Sequence, residues 1–320
     1  MGLTGGGVKG PHEHRSLRPP ESSAALWAPL ARFIAVEDRI GQWAAQQPAR
    51  ATVYEFIRFG IKQAWACLFG GLMVGLILAT YRWYPAGAAL TRYDFMFLMA
   101  LAIQALMLAF RLETIEEAKV ILIFHVVGTA MEFFKTGVGS WIYPEASFFH
   151  IGGVPLFSGF MYASIGSYIA RVWRLFDFRF THHPPLWAVA LLGAAIYVNF
   201  FAHHFIVDIR YALFATMALL FGRTMIYFKA WRVHRHMPLL LANFFAALFV
   251  WLAENIGTLT KTWLYPHQAQ GWSPVSLGKL GSWYLLLVIS YAMVALLNRP
   301  QPFKGEVREL IASPAAGSPG

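Results

Sequence analysis

The chain has 320 residues, 58% of them hydrophobic and only 13% charged, with a mean hydropathy of +0.50. A soluble domain carries about a quarter charged residues, so an ordinary soluble enzyme and bulk disorder are both excluded. The net charge of +10 does not imply nucleic acid, because the basic residues sit at the ends of apolar runs and form no stripe. A single cysteine, Cys67, excludes an internal disulfide and a thiolate metal cluster.

In chain order, residues 1–23 are Gly, Pro, Ser, His and Arg and read as a disordered cytoplasmic tail without a signal peptide. Residues 24–58 mix Trp27, Leu30, Phe33, Ile40 and Trp43 with Arg32, Glu37 and Arg39, as amphipathic helices on a membrane surface do. A bilayer core needs about 20 apolar residues per helix. Stretches near 61–80, 94–111, 117–136, 153–173, 185–204, 206–228, 238–257 and 279–297 qualify. The expected fold class is therefore all-α, a polytopic bundle of about eight transmembrane helices over 59–298, followed by a polar tail over 299–320. With the N-terminus inside, only Arg82, Arg92, Lys135, Arg210, Lys261 and Lys279 of the 26 Lys and Arg fall outside. Both termini are then expected in the cytoplasm.

A motif repeats. Glu132 precedes Trp141, Tyr143 and Pro144 with the spacing by which Glu254 precedes Trp263, Tyr265 and Pro266, so both copies read E-x8-W-[IL]-Y-P, 122 residues apart. Gly71 matches Gly193 at the same offset, and Arg111 falls within one residue of matching Arg232. Four spans per half make this a parallel duplication of a four-helix unit, with halves about 61–175 and 185–297. Trp141, Tyr143, Trp263 and Tyr265 read either as an interfacial aromatic belt or as two loops folding over the mouth of the bundle and touching substrate.

Glu132 and Glu254 lie just inside the outer boundary of the hydrocarbon core. A carboxylate at that depth must be paired, protonated or wet, and is a functional candidate by default. The structural alternative pairs Glu132 with Lys135, or either acid with Arg210. Asn255 adds a polar group at the depth of Glu254. The fifth and sixth spans meet in Asn199, His203, His204, Asp208 and Arg210. Two imidazoles and a carboxylate form a ligand set for a divalent metal, Zn or Fe, and equally an acid–base or proton-relay set. Glu145 and His150, before the turn at Gly152 and Gly153, join the same outer side, with His267 a weaker counterpart. His125, mid-span, is left outside the site. No P-loop, dinucleotide fingerprint or zincin motif is present.

The stretch from Glu132 through Trp141, Tyr143 and Glu145 to Tyr162, with Asn199, His203, His204, Asp208 and Arg210, resembles the bacterial membrane family called domain of unknown function 817. The likeness covers about residues 50–300. It implies a polytopic inner-membrane protein and no particular activity. Three functions follow from the residues. The first is an enzyme acting on a lipid or isoprenoid at the outer face: Glu132, Glu254 and His150 do acid–base work, His203, His204 and Asp208 hold metal, and Arg210 holds phosphate or carboxylate. The second is a proton-coupled secondary transporter with Glu132 and Glu254 as gates. The third is a non-catalytic scaffold. The expected partners are the bilayer and a lipid or small-molecule substrate.

Overall fold

A computed structural model describes residues 28–304. The expected tails over 1–23 and beyond residue 304 lie outside the described residues. The chain is mostly helical: α1 (Ala28–Ala44), α2 (Pro48–Ala66), α3 (Leu68–Trp83), α4 (Arg92–Ala109), α5 (Ile115–Gly137), α6 (Phe157–Leu175), α7 (Leu186–Ala202), α8 (Arg210–Phe221), α9 (Leu239–Leu259) and α10 (Leu277–Asn298). Six short strands join them: β1 (His150–Ile151), β2 (Val154–Pro155), β3 (Arg179–Thr181), β4 (Met225–Lys229), β5 (His234–Pro238) and β6 (Gln301–Pro302).

Four helices, α4, α5, α9 and α10, are long and apolar enough to cross a membrane. A fifth span arises if α2 and α3, bent by 66° at Cys67, count as one. These are the helices of a membrane protein, and their surfaces agree. Leu98, Leu101 and Leu106 on α4, Leu122, Ile123 and Val126 on α5, and Leu241, Phe244 and Leu259 on α9 are all exposed. So large an apolar surface in water is an aggregation liability; against lipid tails it costs nothing.

Two expectations need correction. The stretch 206–228 is not one helix. α8 has 12 residues, a rise of about 18 Å, and Met225–Lys229 is extended as β4. The fold is also not purely helical, because a four-stranded sheet of order β5-β4-β3-β6 closes one end of the bundle. β3 and β4 pair antiparallel, as do β4 and β5, while β6 joins β3 in parallel. The remaining expected spans are helices of 19 residues (α6, carrying Arg171 and Arg174) and 17 residues (α7).

Local chemistry sets these elements. Thr114 and Glu117 form a reciprocal capping box at the start of α5, and Thr91 caps α4 through the Asp94 N–H. α5 and α6 pack through small residues. Gly128 lies under the Tyr162 ring, Gly159 under His125 and Thr129, and Gly166 under Phe124. At the sheet end, buried Arg171 pairs with buried Glu113 at 3.2 Å and donates to the Trp65 carbonyl. Lys62 there donates to the carbonyls of Leu175 and Lys229. α5 and α9 both run away from the sheet, so Glu132 and Glu254 reach the opposite end.

Candidate functional site

Each glutamate lies near the far end of its helix, and in each case the turn that follows is built the same way. α5 ends at Val138, whose N–H bonds the Phe134 carbonyl while the Gly139 N–H bonds that of Thr136; α9 ends at Thr260, whose N–H bonds the Ile256 carbonyl while the Lys261 N–H bonds that of Thr258. Gly139 and Lys261 follow with φ of +72° and +53°, and the Ser140 and Thr262 N–H groups return to the carbonyls of Lys135 and Gly257. This is the left-handed helix stop that satisfies orphan carbonyls. Glycine takes it freely. Lys261 is tolerated where Arg92 bonds the Thr260 and Lys261 carbonyls at 3.3 and 3.4 Å.

The two turns carry W-I-Y and W-L-Y back over the bundle, where they meet. Ile142 and Leu264 exchange both backbone hydrogen bonds at 2.9 Å in an antiparallel bridge. Glu132 accepts from Trp141 Nε1 at 2.7 Å, the Tyr143 hydroxyl at 2.7 Å and the Tyr162 hydroxyl at 2.8 Å. Glu254 accepts from the Tyr265 hydroxyl and Trp283 Nε1. Both acids are buried, and among the described residues no cation reaches salt-bridge distance of either. The anticipated Glu132–Lys135 and glutamate–Arg210 pairs do not form. Burial, with Glu132 beside one and Glu254 beside the other, raises the Tyr143 and Tyr265 phenols well above their usual range. They stay protonated and act as donors.

A crevice of about 1520 Å³ joins these groups. The part far from the sheet is lined by Glu132, Glu254, Trp141, Tyr143, Tyr265 and Trp263, and by Lys135, Lys279, His203, His204, Asn199 and Arg210. Toward the sheet it is apolar, along Met161, Ile165, Val172 and Phe176 on one side and Phe245, Ala246 and Leu287 on the other.

The family model described as protein of unknown function (DUF817) matches residues 55–291. The chain belongs to this family. It is similar to "Uncharacterized protein YoaT" of Bacillus subtilis (strain 168), 40% identical over 260 residues, 80% of this chain and 98% of the relative. No solved structure matches the chain. The matched region contains every residue of the crevice named above.

In this DUF817 protein the expected metal set is not assembled. Among the described residues no three His, Cys, Asp or Glu side chains are grouped to hold a metal ion. Asp208 is taken up by Asn199 Nδ2 at 3.1 Å, by the Arg210 N–H at 2.9 Å and by the Arg210 guanidinium. Burial alone would raise the Asp208 carboxyl, but these donors outweigh it and hold it below its usual range. His203 Nδ1 lies 3.0 Å from the Asn199 carbonyl. Lys135 Nζ donates to His204 Nε2 at 2.8 Å, which requires a neutral, accepting imidazole there. Partial burial, then the Lys135 charge, lower the His204 pKa accordingly.

Four other expected site residues lie outside the crevice. His150 is exposed at the Gly152–Gly153 hairpin, its Nδ1 2.6 Å from the Ser147 carbonyl. Glu145 pairs with Arg92 at 2.6 Å. Asn255 clamps the Val275 N–H at 2.9 Å and donates to the Trp251 carbonyl. Asp208 holds its own turn. Trp263 lines the crevice while packing with Tyr93, Met96 and Phe157. Sequence reasoning missed Tyr162, Trp283 and Lys279. The first two stand 30 and 29 residues beyond their glutamates, one residue out of register with the repeat, so neither it nor any motif marks them; Lys279 carries no such signal either.

Proposed function

We propose that this protein is an enzyme of the bacterial cytoplasmic membrane acting on a lipid or isoprenoid at the outer face, with Glu132 and Glu254 as its acid–base groups. The observation that carries this reading is the crevice: apolar over the depth of the bundle, it meets two buried carboxylates at its outer end. A membrane-soluble chain fits the apolar part and brings its polar end to the acids. The tyrosine hydroxyls that bond the glutamates line the same space and connect them to a bound group.

We read the chain as crossing eight times through α3 to α10, α8 being short, with both termini in the cytoplasm. Successive helices alternate in direction, the chain enters and leaves at the sheet end, and most Lys and Arg gather there. We also read the halves 61–175 and 185–297 as parallel copies. The matching helix stops, the tyrosine donors eleven residues after each glutamate, and the bridge between equivalent residues Ile142 and Leu264 support this. An antiparallel bridge of a residue to its own equivalent is what a local two-fold axis produces.

The transporter reading draws on the neutral surroundings of both acids, which favour proton uptake. Parallel copies, however, set both acids at one depth near the outer face, where neither guards the inner side. Lipid extracts of cells producing the wild type, Glu132→Gln and Glu254→Gln at equal membrane levels test the proposal. The wild type should deplete or create a lipid species, and both variants should lose that change. Identical profiles for all three would overturn it.

A further inference from the structure

Laying one half on the other at the 122-residue offset pairs two equivalent sites, each built from residues of both halves, and shows where these two copies of the site, the first around Phe157 and the second around Lys279, differ. Lys279 is equivalent to Phe157, Lys135 to Gly257, and Asn199 to Ile77. In the first copy the site is filled: Phe157 and Ile77 are fully buried with Tyr93 and Met96, and Tyr143 and Trp263 pack against them. The Trp263 ring lies over Gly257, so close that a Cβ there would sit 2.1 Å from it. In the second copy Lys135 stands where that glycine would be, and Trp141 donates to Glu132 instead of lying flat on the helix.

The second copy is thereby left open and cationic. Lys279 Nζ lies 4.5 Å from the Tyr265 ring centre and 5.5 Å from that of Trp141, and has neither a hydrogen bond nor an ion pair among the described residues. Lys135 is buried, with His204 as its hydrogen-bond partner and the Phe200 ring 4.0 Å away. Glu254 and Glu132 are close enough for their charges to act on Lys279, and Arg210 acts on both lysines, although Asp208 pairs with it. The carboxylates in the same crevice, Glu132 and Glu254, have their oxygens taken up by aromatic donors. Ser276 and Gly278, at the first turn of α10, line the same space, so the positive end of a 22-residue helix points to it as well.

We infer that the second copy has become an anion subsite, in which Lys279 and Lys135 take the phosphate or carboxylate head of an amphiphile whose apolar chain lies in the crevice. This deepens the enzyme reading, on which it rests, by naming the substrate class. Two ammonium groups set among aromatic faces suit a desolvated oxyanion, since an ionised acceptor makes the stronger, shorter hydrogen bonds. The filled first copy leaves one such subsite per chain.

The test is equilibrium binding, read by tryptophan fluorescence of the full chain in phosphatidylcholine nanodiscs. The probes are dodecyl phosphate, dodecyltrimethylammonium and inorganic phosphate. Dodecyl phosphate should give a saturable change, and the cationic amphiphile none. Lys279→Phe, which installs the side chain of the equivalent position, should raise half-saturation about tenfold, with Lys279→Gln as the second variant should the first fail to fold. Arg82→Gln, exposed on the other half, should bind as the wild type does. A response to inorganic phosphate equal to that of dodecyl phosphate supports the subsite with a free anion as its ligand; a much weaker one supports a lipid headgroup. Equal binding by wild type and both Lys279 variants, or equal binding of the cationic amphiphile, overturns the inference. Turnover does not enter this measurement. Binding with unchanged lipid profiles would remove the chemistry and leave the subsite standing, and changed profiles without binding would do the reverse.

Discussion

Glu132 is held by three neutral donors from three directions, two on the turn after its own helix and one on α6. That arrangement fixes the carboxylate without a counter-ion and leaves its protonation open to whatever enters the crevice. Tyr143→Phe removes one donor from a buried acid and should cost about 1–3 kcal/mol of stability, read by denaturant unfolding in detergent. A cost near zero would mean that the bond is not made. His204 gives a pH signature. Its pKa in the folded protein lies below the unfolded value, so on acidification the unfolded chain takes up the proton first. The contribution is complete above about pH 6.5 and is lost as pH falls below it. The wild-type melting temperature should therefore decline from neutral pH toward pH 5, and His204→Gln should flatten that decline. A parallel decline in both would assign the effect elsewhere.

At the level of elements, the site depends on how closely α5 and α6 approach. Gly128 lies under Tyr162, a donor to Glu132, and a Cβ there would come within 2.5 Å of that side chain. Gly128→Ala should destabilise by about 1–3 kcal/mol through overpacking and displace Tyr162. Gly71→Ala, within α3 and with open space at its Cβ, should not destabilise and should add up to about 1 kcal/mol of stability. Equal stability of the two variants would contradict the packing. The long helices were legible because apolar runs mark them directly. The sheet was not. Met225–Ile226–Tyr227–Phe228 is as apolar as a helix, and a short apolar run does not reveal its period. Its strand character comes from pairing with β3 and β5, residues distant in sequence.

For the whole molecule, the exposed leucines and phenylalanines of α4, α5 and α9 and the crowding of basic residues at the sheet end give a lipid-facing bundle with one cationic end. Reporter fusions after Trp141 and after Trp263 should both report the outer side, while a fusion in the β4–β5 hairpin reports the cytoplasm; opposite signals from the first two would refute the parallel halves. The two glutamates and their tyrosines were legible from spacing alone. The metal set read at the α7–α8 turn is not grouped among the described residues, because Asp208 is spent on Asn199 and Arg210 while His204 accepts from Lys135. Lys279 was invisible, since its meaning lies in a comparison with Phe157 that needs the fold. The account stands on an outer opening to both glutamates. Ser140 and Ser276, on the crevice wall, changed singly to cysteine in a Cys67→Ser background, test it in intact cells with a membrane-impermeant thiol reagent. Both positions should label from outside, and dodecyl phosphate should slow the labelling; labelling that needs permeabilised cells at both would place the opening on the other side and contradict the account.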